Sequence, residues 1–398
     1  MNTQSERVPA DAARDAGGVI PLAVPDLSGR EAEYLQECIR STFVSSVGPF
    51  VERLEQMVAG LSGAREAVAT SCGTTGLHAA LTAVGVGRDD LVILPTFTFV
   101  ASANAVAHCG AMPWLFDIDA ASWTIDPARL EHALATETLR RGNHVVHAAS
   151  GRRVAAMLPV HTLGTPADMQ RIRALAQSYG LPVVADGAAA LGATCGGRAL
   201  GGLADLTVYS FNGNKTITAG GGGAVVGDDA ELVRLVRHLT TTARVGRDYV
   251  HDRVGFNYRM TNLNAAVGCA QLERVESLVA AKRSIRHKYD DAFRGIEGVG
   301  LFPDVPDRTS ACWFSGIVIA DDRVPGVPAI CEALRSHGIE ARAFWRPMHL
   351  QPAFQDAPGG PFPVSSGLHA RVLTLPCSTH LSDADQDYVI AVVRKLLA

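Results

Sequence analysis

The chain has 398 residues, of which 47% are hydrophobic and 19% charged, so its composition is that of a globular protein with a substantial core. Its 36 basic and 40 acidic residues give a formal net charge of −4 at pH 7, and no block of lysine and arginine stands out. This balance argues against nucleic acid or an anionic membrane as the main partner. The eight cysteines include no Cys-x-x-Cys pair, so we expect reduced thiols and no bound metal.

The N-terminal residues 1–18 are polar and mixed in charge, without the apolar core of a secretory signal, and we predict a flexible tail there. A longer stretch, residues 91–116, carries no formal charge but contains Pro95, Asn104 and Pro113. These residues favour a strand, a loop and a buried helix over a membrane span. We therefore expect a cytoplasmic protein that does not enter membranes.

Short apolar runs alternate with helical patterns over the first part of the chain. Predicted strands lie at 67–70, 91–94, 114–117, 155–160, 182–185, 206–211 and 224–226, and helices at 75–84, 101–109 and 166–179. This alternation predicts an α/β fold with a mostly parallel, doubly wound sheet covered on both faces. The last strand follows three glycines and is expected to be antiparallel. The polar, basic segment 140–153 predicts an exposed hairpin insertion.

The pattern changes in the remaining chain. A helix from about residue 263 to 293, strands at 314–319 and 340–343, and a closing helix at 383–397 predict a smaller α+β domain. We therefore predict a large domain at 19–250 and a small C-terminal domain at 251–398.

Lys215 is the first candidate for chemistry. It follows a predicted strand and has glycines on both sides, at Gly213 and at residues 220–223. A lysine in an apolar, glycine-lined cleft loses its proton readily and forms a Schiff base with an aldehyde. A phosphate-binding P-loop is excluded, because Tyr209 stands where that motif needs its first glycine. The pattern alone leaves open that Lys215 is a solvated surface charge.

Two further features belong at the same edge of the predicted sheet. Asp186 ends a predicted strand, where parallel sheets bind ligands, and its carboxylate can pair with a protonated pyridine nitrogen. Residues 71–78 (SCGTTGLH) form a strand-to-helix turn whose free N–H groups and hydroxyls suit a phosphate. A turn aspartate and simple helix capping remain alternatives for these two features.

Four segments together resemble the DegT/DnrJ/StrS sugar aminotransferases, over roughly residues 20–397. They are 43–50 (FVSSVGPF), 95–100 (PTFTFV), 210–215 (SFNGNK) with the glycines that follow, and 255–262 (GFNYRMTN). The resemblance implies fold type I with a mostly parallel seven-stranded sheet in the large domain. It also implies pyridoxal 5′-phosphate (PLP) as cofactor and a homodimer with shared active sites.

The resemblance assigns a role to individual residues. Lys215 holds PLP as a Schiff base and moves the proton during transamination, and Asp186 pairs with the pyridine nitrogen. The implied phosphate ligands are Gly73, Thr74, Thr75 and Ser210, joined by Asn257 from the other subunit. Phe99 is implied to pack on the ring face, with a core phenylalanine as the alternative. His349 lies in a segment that lines the sugar pocket, with a structural histidine as the alternative.

Residues 20–25, 151–161 and 262–266 look like the legionaminic-acid-type 4-aminotransferases. That likeness implies transamination of a nucleotide-linked 4-keto-6-deoxy-N-acetylhexosamine, with glutamate as donor, to give a 4-amino sugar for glycan biosynthesis. One alternative is a 3-keto sugar or a cyclitol in antibiotic assembly. A second is a non-catalytic PLP-binding regulator or partner subunit. Lys215 argues against the family's dehydratases, which carry histidine at this position.

The chain departs from the family at one position. The family commonly has glutamine or histidine three residues after the aspartate, where it bonds the O3′ oxygen of PLP. Here residues 185–189 read ADGAA, so Ala189 supplies no polar atom. Loss of this partner is expected to raise the pKa of the bound cofactor or to loosen the ring, unless a water takes its place. The departure bears on the reaction rate and the reaction type, and not on PLP binding.

Overall fold

The computed structural model describes residues 18–320 and 326–397. Most of the predicted tail, residues 1–17, therefore lies outside the described residues. Twelve helices are described. They are α1 (Glu31–Ser41), α2 (Pro49–Ser62), α3 (Gly73–Ala83), α4 (Val100–His108), α5 (Pro127–Thr136), α6 (Met169–Tyr179), α7 (Ala230–Thr240), α8 (Asn262–Leu272), α9 (Val275–Phe293), α10 (Val327–Ser336), α11 (Pro363–Leu368) and α12 (Asp383–Leu397).

The strands fall into a first and a second group along the chain. The first comprises β1 (Glu66–Thr70), β2 (Leu91–Pro95), β3 (Met112–Phe116), β4 (Thr138–Arg141), β5 (His144–His147), β6 (Arg153–Met157), β7 (Val184–Asp186), β8 (Thr194–Cys195), β9 (Arg198–Ala199), β10 (Leu206–Ser210), β11 (Gly223–Gly227), β12 (Arg244–Val245) and β13 (Val250–His251). The second comprises β14 (Val299–Leu301), β15 (Arg308–Thr309), β16 (Ser315–Ile319), β17 (Arg342–Ala343) and β18 (Val372–Leu375).

Seven strands lie side by side in the order β1-β11-β10-β7-β6-β2-β3. Parallel bridges join β6 to β7, at Met157 with Val183 and at Val160 with Asp186. Only β11 runs antiparallel to its neighbours, as its glycine-rich approach predicts. This confirms the α/β class and the mostly parallel seven-stranded sheet of fold type I.

Both faces of this sheet are buried, which explains why its strands read as continuous apolar runs. In β2 all five residues are buried. Val92 and Leu94 pack into one apolar cluster, and Leu91 and Ile93 into another on the opposite face. The antiparallel hairpin of β4 and β5 pairs with the first residues of β6, Arg153 and Val154, where the sequence predicts an insertion.

The second group of strands forms an antiparallel sheet in the order β14-β16-β18-β17. Helices α9, α10 and α12 contribute to its apolar cluster, and so do Ile20 and Leu22 from the start of the described chain. The predicted boundary at residue 250 stays a prediction. Within the described residues, no helix is both long and apolar enough to cross a bilayer.

The single helix predicted at about 263–293 is wrong, because the structure divides it into α8 and α9. The break falls at Glu273 and Arg274, and Arg274 has φ −113° and ψ 9°, outside the α-helical region. Glu273 accepts a hydrogen bond from Tyr34 Oη at 2.6 Å, and Arg274 pairs with Asp26 at 2.9 Å. These contacts come from distant parts of the chain, so the local helical pattern does not reveal them.

Candidate active site

A cavity of about 450 Å³ lies at the carboxyl ends of the parallel strands. Its floor comes from the seven-stranded sheet, and its opposite wall comes from the C-terminal part of the chain. Six predicted residues line it together, and they come from four separate segments: Gly73, Thr74, Phe99, Asp186, Ser210 and Lys215. The position agrees with the rule that open α/β sheets bind ligands at this edge.

Lys215 reaches the cavity from the loop after β10. Its backbone N–H donates to Asn212 O at 3.0 Å, which closes a tight turn in that loop. Its Nζ lies 3.5 Å from the centre of the Trp313 ring, and Trp313 Nε1 donates to Asn214 O at 2.7 Å. Burial lowers the pKa of Lys215 to about 8, and the charge of Asp186 acts in the opposite direction. Roughly a tenth of this amine is therefore neutral and nucleophilic at pH 7, far more than for a lysine with an ordinary pKa.

Asp186 ends β7 and is 6% exposed. Its Oδ2 accepts from Ser102 Oγ at 2.7 Å, and its Oδ1 accepts from the Ala188 N–H at 3.0 Å. Ser102 is in turn within 2.8 Å of Thr98 Oγ1. These contacts fix the orientation of the carboxylate and leave it able to pair with a cationic ring nitrogen.

The N-terminus of α3 lies beside Ser210. A Cβ added to Gly73 would stand 3.0 Å from Ser210 Cβ and 3.3 Å from Ser210 Oγ, so the two residues are adjacent. The first-turn N–H groups of a helix have no intrahelical acceptor and carry a partial positive charge. With the Thr74 and Ser210 side chains on the same cavity wall, this turn has the donors that a phosphate needs.

Three predicted site residues do not line the cavity in this chain. The hydroxyl of Thr75 takes part in the capping box of α3, with contacts to Cys72. Asn257 is exposed, and its implied role requires a second subunit. His349 has Nδ1 within 2.7 Å of Thr96 Oγ1 and Nε2 within 2.9 Å of Ser366 Oγ, so both of its ring nitrogens are engaged.

Sequence reasoning missed several residues of the site. Ser102 and Thr98 are fully buried, and the only signal for them was a hydroxyl group inside an uncharged apolar stretch. His161 lines the cavity and is 1% exposed. Trp313, Arg342 and Trp345 come from the C-terminal part of the chain, and of these only Trp345 lies in a segment, that of His349, which the sequence resemblance places at the sugar pocket. No cluster of metal-binding side chains occurs among residues 18–320 and 326–397.

The cavity therefore contains an amine with a lowered pKa, a fixed carboxylate and an anion-binding helix terminus. These groups suit a phosphorylated pyridine aldehyde. In agreement, residues 25–394 match the DegT/DnrJ/EryC1/StrS aminotransferase family. The chain belongs to this family. The family is PLP-dependent, and the donor set of the cavity fits that cofactor.

Relatives of this aminotransferase match it over nearly its whole length. It is 36% identical to GDP-perosamine synthase of Caulobacter vibrioides, over 95% of this chain and 98% of the relative. It is 34% identical to the putative pyridoxal phosphate-dependent aminotransferase EpsN of Bacillus subtilis, over 95% of both chains. The structure of S. venezuelae DesV in complex with a ketimine intermediate superposes with a TM-score of 0.85 at 28% identity, covering 96% and 99% of the two chains.

Because burial lowers the pKa of Lys215, we expect this residue to destabilise the folded aminotransferase at neutral pH when no cofactor is bound. The native pKa of about 8 lies below the ordinary 10.5, so the unfolded chain binds more protons between these values. The destabilisation is complete below about pH 8 and disappears as the pH rises to about 10.5. We expect cofactor-free Lys215→Met to be more stable than wild type at pH 7, by about 2 kcal/mol after allowing for solvent around the half-buried side chain.

Urea denaturation of the cofactor-free protein at pH 7 and at pH 10.5 measures this difference. The exposed Lys395→Met is the matched control and should leave stability unchanged. Equal stabilities for Lys215→Met and wild type at pH 7 would contradict the lowered pKa.

Proposed function

We propose that this chain transfers the amino group of glutamate to a nucleotide-linked 4-keto-6-deoxy-N-acetylhexosamine. The observation that carries the proposal is that Lys215 and Asp186 share one cavity with aromatic side chains and a second cation, Arg342. The likeness to GDP-perosamine synthase supports a nucleotide-linked sugar, and the sequence resemblance supports the 4-keto position and the glutamate donor. The product is a 4-amino sugar for glycan biosynthesis, made in the cytoplasm by a homodimer.

The cavity wall suits a sugar substrate. Phe99 is half exposed and lies 5.8 Å from Trp345, and Trp345 lies 5.8 Å from Trp313. Aromatic faces give a sugar apolar contact area with little loss of side-chain entropy. The guanidinium of Arg342 pairs well with carboxylate or phosphate oxygens, which the donor and the sugar nucleotide carry.

Bound PLP supplies an aldehyde that condenses with amines and a ring that accepts the electron pair released at the adjacent carbon. The residues of the chain do the rest. Lys215 carries a proton between the amine-bearing carbon and C4′ of the cofactor, a task for which a pKa near neutrality is suited. Asp186 keeps the pyridine nitrogen protonated, and Ser102 and the Ala188 N–H keep Asp186 in place. The α3 turn anchors the phosphate.

The test supplies the holoenzyme with glutamate labelled at its amino nitrogen and with a panel of nucleotide-linked 4-keto and 3-keto sugars. We expect labelled nitrogen in the product of a 4-keto substrate, detected by mass spectrometry, and no product with Lys215→Ala. Conversion of 3-keto sugars alone would contradict the 4-keto assignment. An absorption spectrum that no amine donor changes would contradict catalysis and favour the regulator or partner-subunit alternative.

A further inference from the structure

His161 is a buried histidine with one ring nitrogen that lacks a partner. It follows β6, is 1% exposed and lines the same cavity as Lys215 and Asp186. Its Nδ1 accepts a hydrogen bond from the Ala167 N–H at 3.0 Å. Its Nε2 is buried and has no hydrogen-bond partner within the described chain. Buried polar atoms are nearly always bonded, so this one calls for a ligand.

The surroundings of the ring determine which nitrogen carries the proton. Burial, with a smaller effect from the charge of Arg308, lowers the pKa of His161 to about 4, so the imidazole is neutral at physiological pH. The other charged residues that line the cavity are Asp186, Lys215 and Arg342. Because Nδ1 accepts the Ala167 N–H, the single ring proton sits on Nε2. His161 therefore offers a hydrogen-bond donor in a site that holds PLP.

The strand order places this donor on a definite side of Asp186. At the carboxyl edge of the sheet, Ser210 ends β10, Asp186 ends β7 and His161 follows β6. The His161 N–H donates to Asp186 O at 2.9 Å, which fixes the two segments side by side. Ser210 and Gly73 thus stand on one flank of Asp186, and His161 stands on the other.

PLP has matching flanks. Its phosphate arm and its O3′ oxygen project from opposite sides of the line that joins the pyridine nitrogen to the aldehyde carbon. With the nitrogen at Asp186 and the phosphate at Gly73 and Ser210, the O3′ oxygen faces the flank of His161. Ala189 also lines the cavity, but its side chain is a methyl group and cannot donate a hydrogen bond to O3′.

We propose that His161 Nε2–H donates the hydrogen bond to O3′ of PLP that Ala189 cannot make. This inference rests on PLP bound at Lys215 and not on the identity of the sugar. A donor at O3′ stabilises its negative charge most when the neighbouring imine nitrogen has lost its proton. With PLP bound, His161 would therefore lower the pKa of the cofactor.

The test measures the pKa of the visible absorption band of protein-bound PLP. We expect His161→Leu to raise this pKa by about one, because it removes a hydrogen bond to a charged group. Ala189→Gln adds an amide donor at a half-buried position where the family carries one. The double variant should therefore return the pKa to the wild-type value. A purely structural role of His161 predicts no such rescue.

Two results would overturn the proposal: an unchanged pKa in PLP-loaded His161→Leu, or a raised pKa that Ala189→Gln does not reverse. Thermal unfolding of each holoenzyme verifies that the variants are folded. If His161→Leu does not fold, Ala189→Gln alone decides, because a second donor at the same oxygen should lower the pKa. A rise or no change in that variant also contradicts the proposal. Failure of the sugar assignment leaves this titration unaffected, so the two hypotheses are tested separately.

Discussion

Replacing Lys215 by alanine is expected to reduce transamination by about 10⁴-fold or more, because one side chain provides both the link to PLP and the proton carrier. The truncation removes no backbone contact of the loop, whose turn is closed by the Lys215 N–H and Asn212 O. The variant should fold normally. Single-turnover kinetics with glutamate measures the loss.

Lys395→Ala is the control, since this exposed lysine lies far along the chain in α12 and should keep full activity. Retention of more than a small fraction of the rate in Lys215→Ala would contradict the assignment. An added primary amine should restore part of the rate in that variant, because it replaces the missing proton carrier.

Replacing Asp186 by asparagine is expected to lower the rate of transamination by about 10²–10³-fold, the effect of removing one partner of a buried charge pair. Asparagine keeps the shape: its Oδ1 can accept from the Ala188 N–H and its amide NH₂ can donate to Ser102 Oγ, but it cannot hold a proton on the pyridine nitrogen. We therefore expect a large fall in the rate of reaction with glutamate and a much smaller fall in the affinity for PLP.

Parallel measurements of the rate of reaction with glutamate and of the dissociation constant of PLP separate these two effects. Asp291→Asn, an exposed change near Arg294, serves as the control. A variant that loses PLP but reacts at the wild-type rate when saturated would contradict the electronic role of Asp186.

The sequence predicted the sheet well because its strands are buried on both faces and read as uninterrupted apolar runs, as in β2 and β10. It failed where distant residues decide the outcome. The predicted long helix is interrupted at Arg274, which pairs with Asp26, and Ile20 joins a cluster formed by the other end of the chain. Contacts between residues far apart in the chain leave no pattern in the sequence around either residue.

The candidate site shows the same difference between what a local sequence pattern reveals and what depends on contacts between distant residues. The structure brings Asp186, Ser210 and Lys215 together because the carboxyl ends of neighbouring strands meet at one edge of the sheet. Thr75 could not be separated from Thr74 by sequence, because its engagement in the capping box depends on the geometry of the α3 turn. The unpaired nitrogen of His161 is visible only once the contacts of the folded chain are known.

Reduction of the PLP-loaded protein with borohydride, followed by mapping of the modified peptide by mass spectrometry, tests whether PLP forms its Schiff base with Lys215. The chain has only four lysines, Lys215, Lys282, Lys288 and Lys395, so the assignment is unambiguous. Lys282 is also buried, but its Nζ bonds Trp313 O and Cys377 O and serves as an internal control. We expect stoichiometric modification of Lys215 alone. Modification of another lysine, or of none, would contradict this expectation.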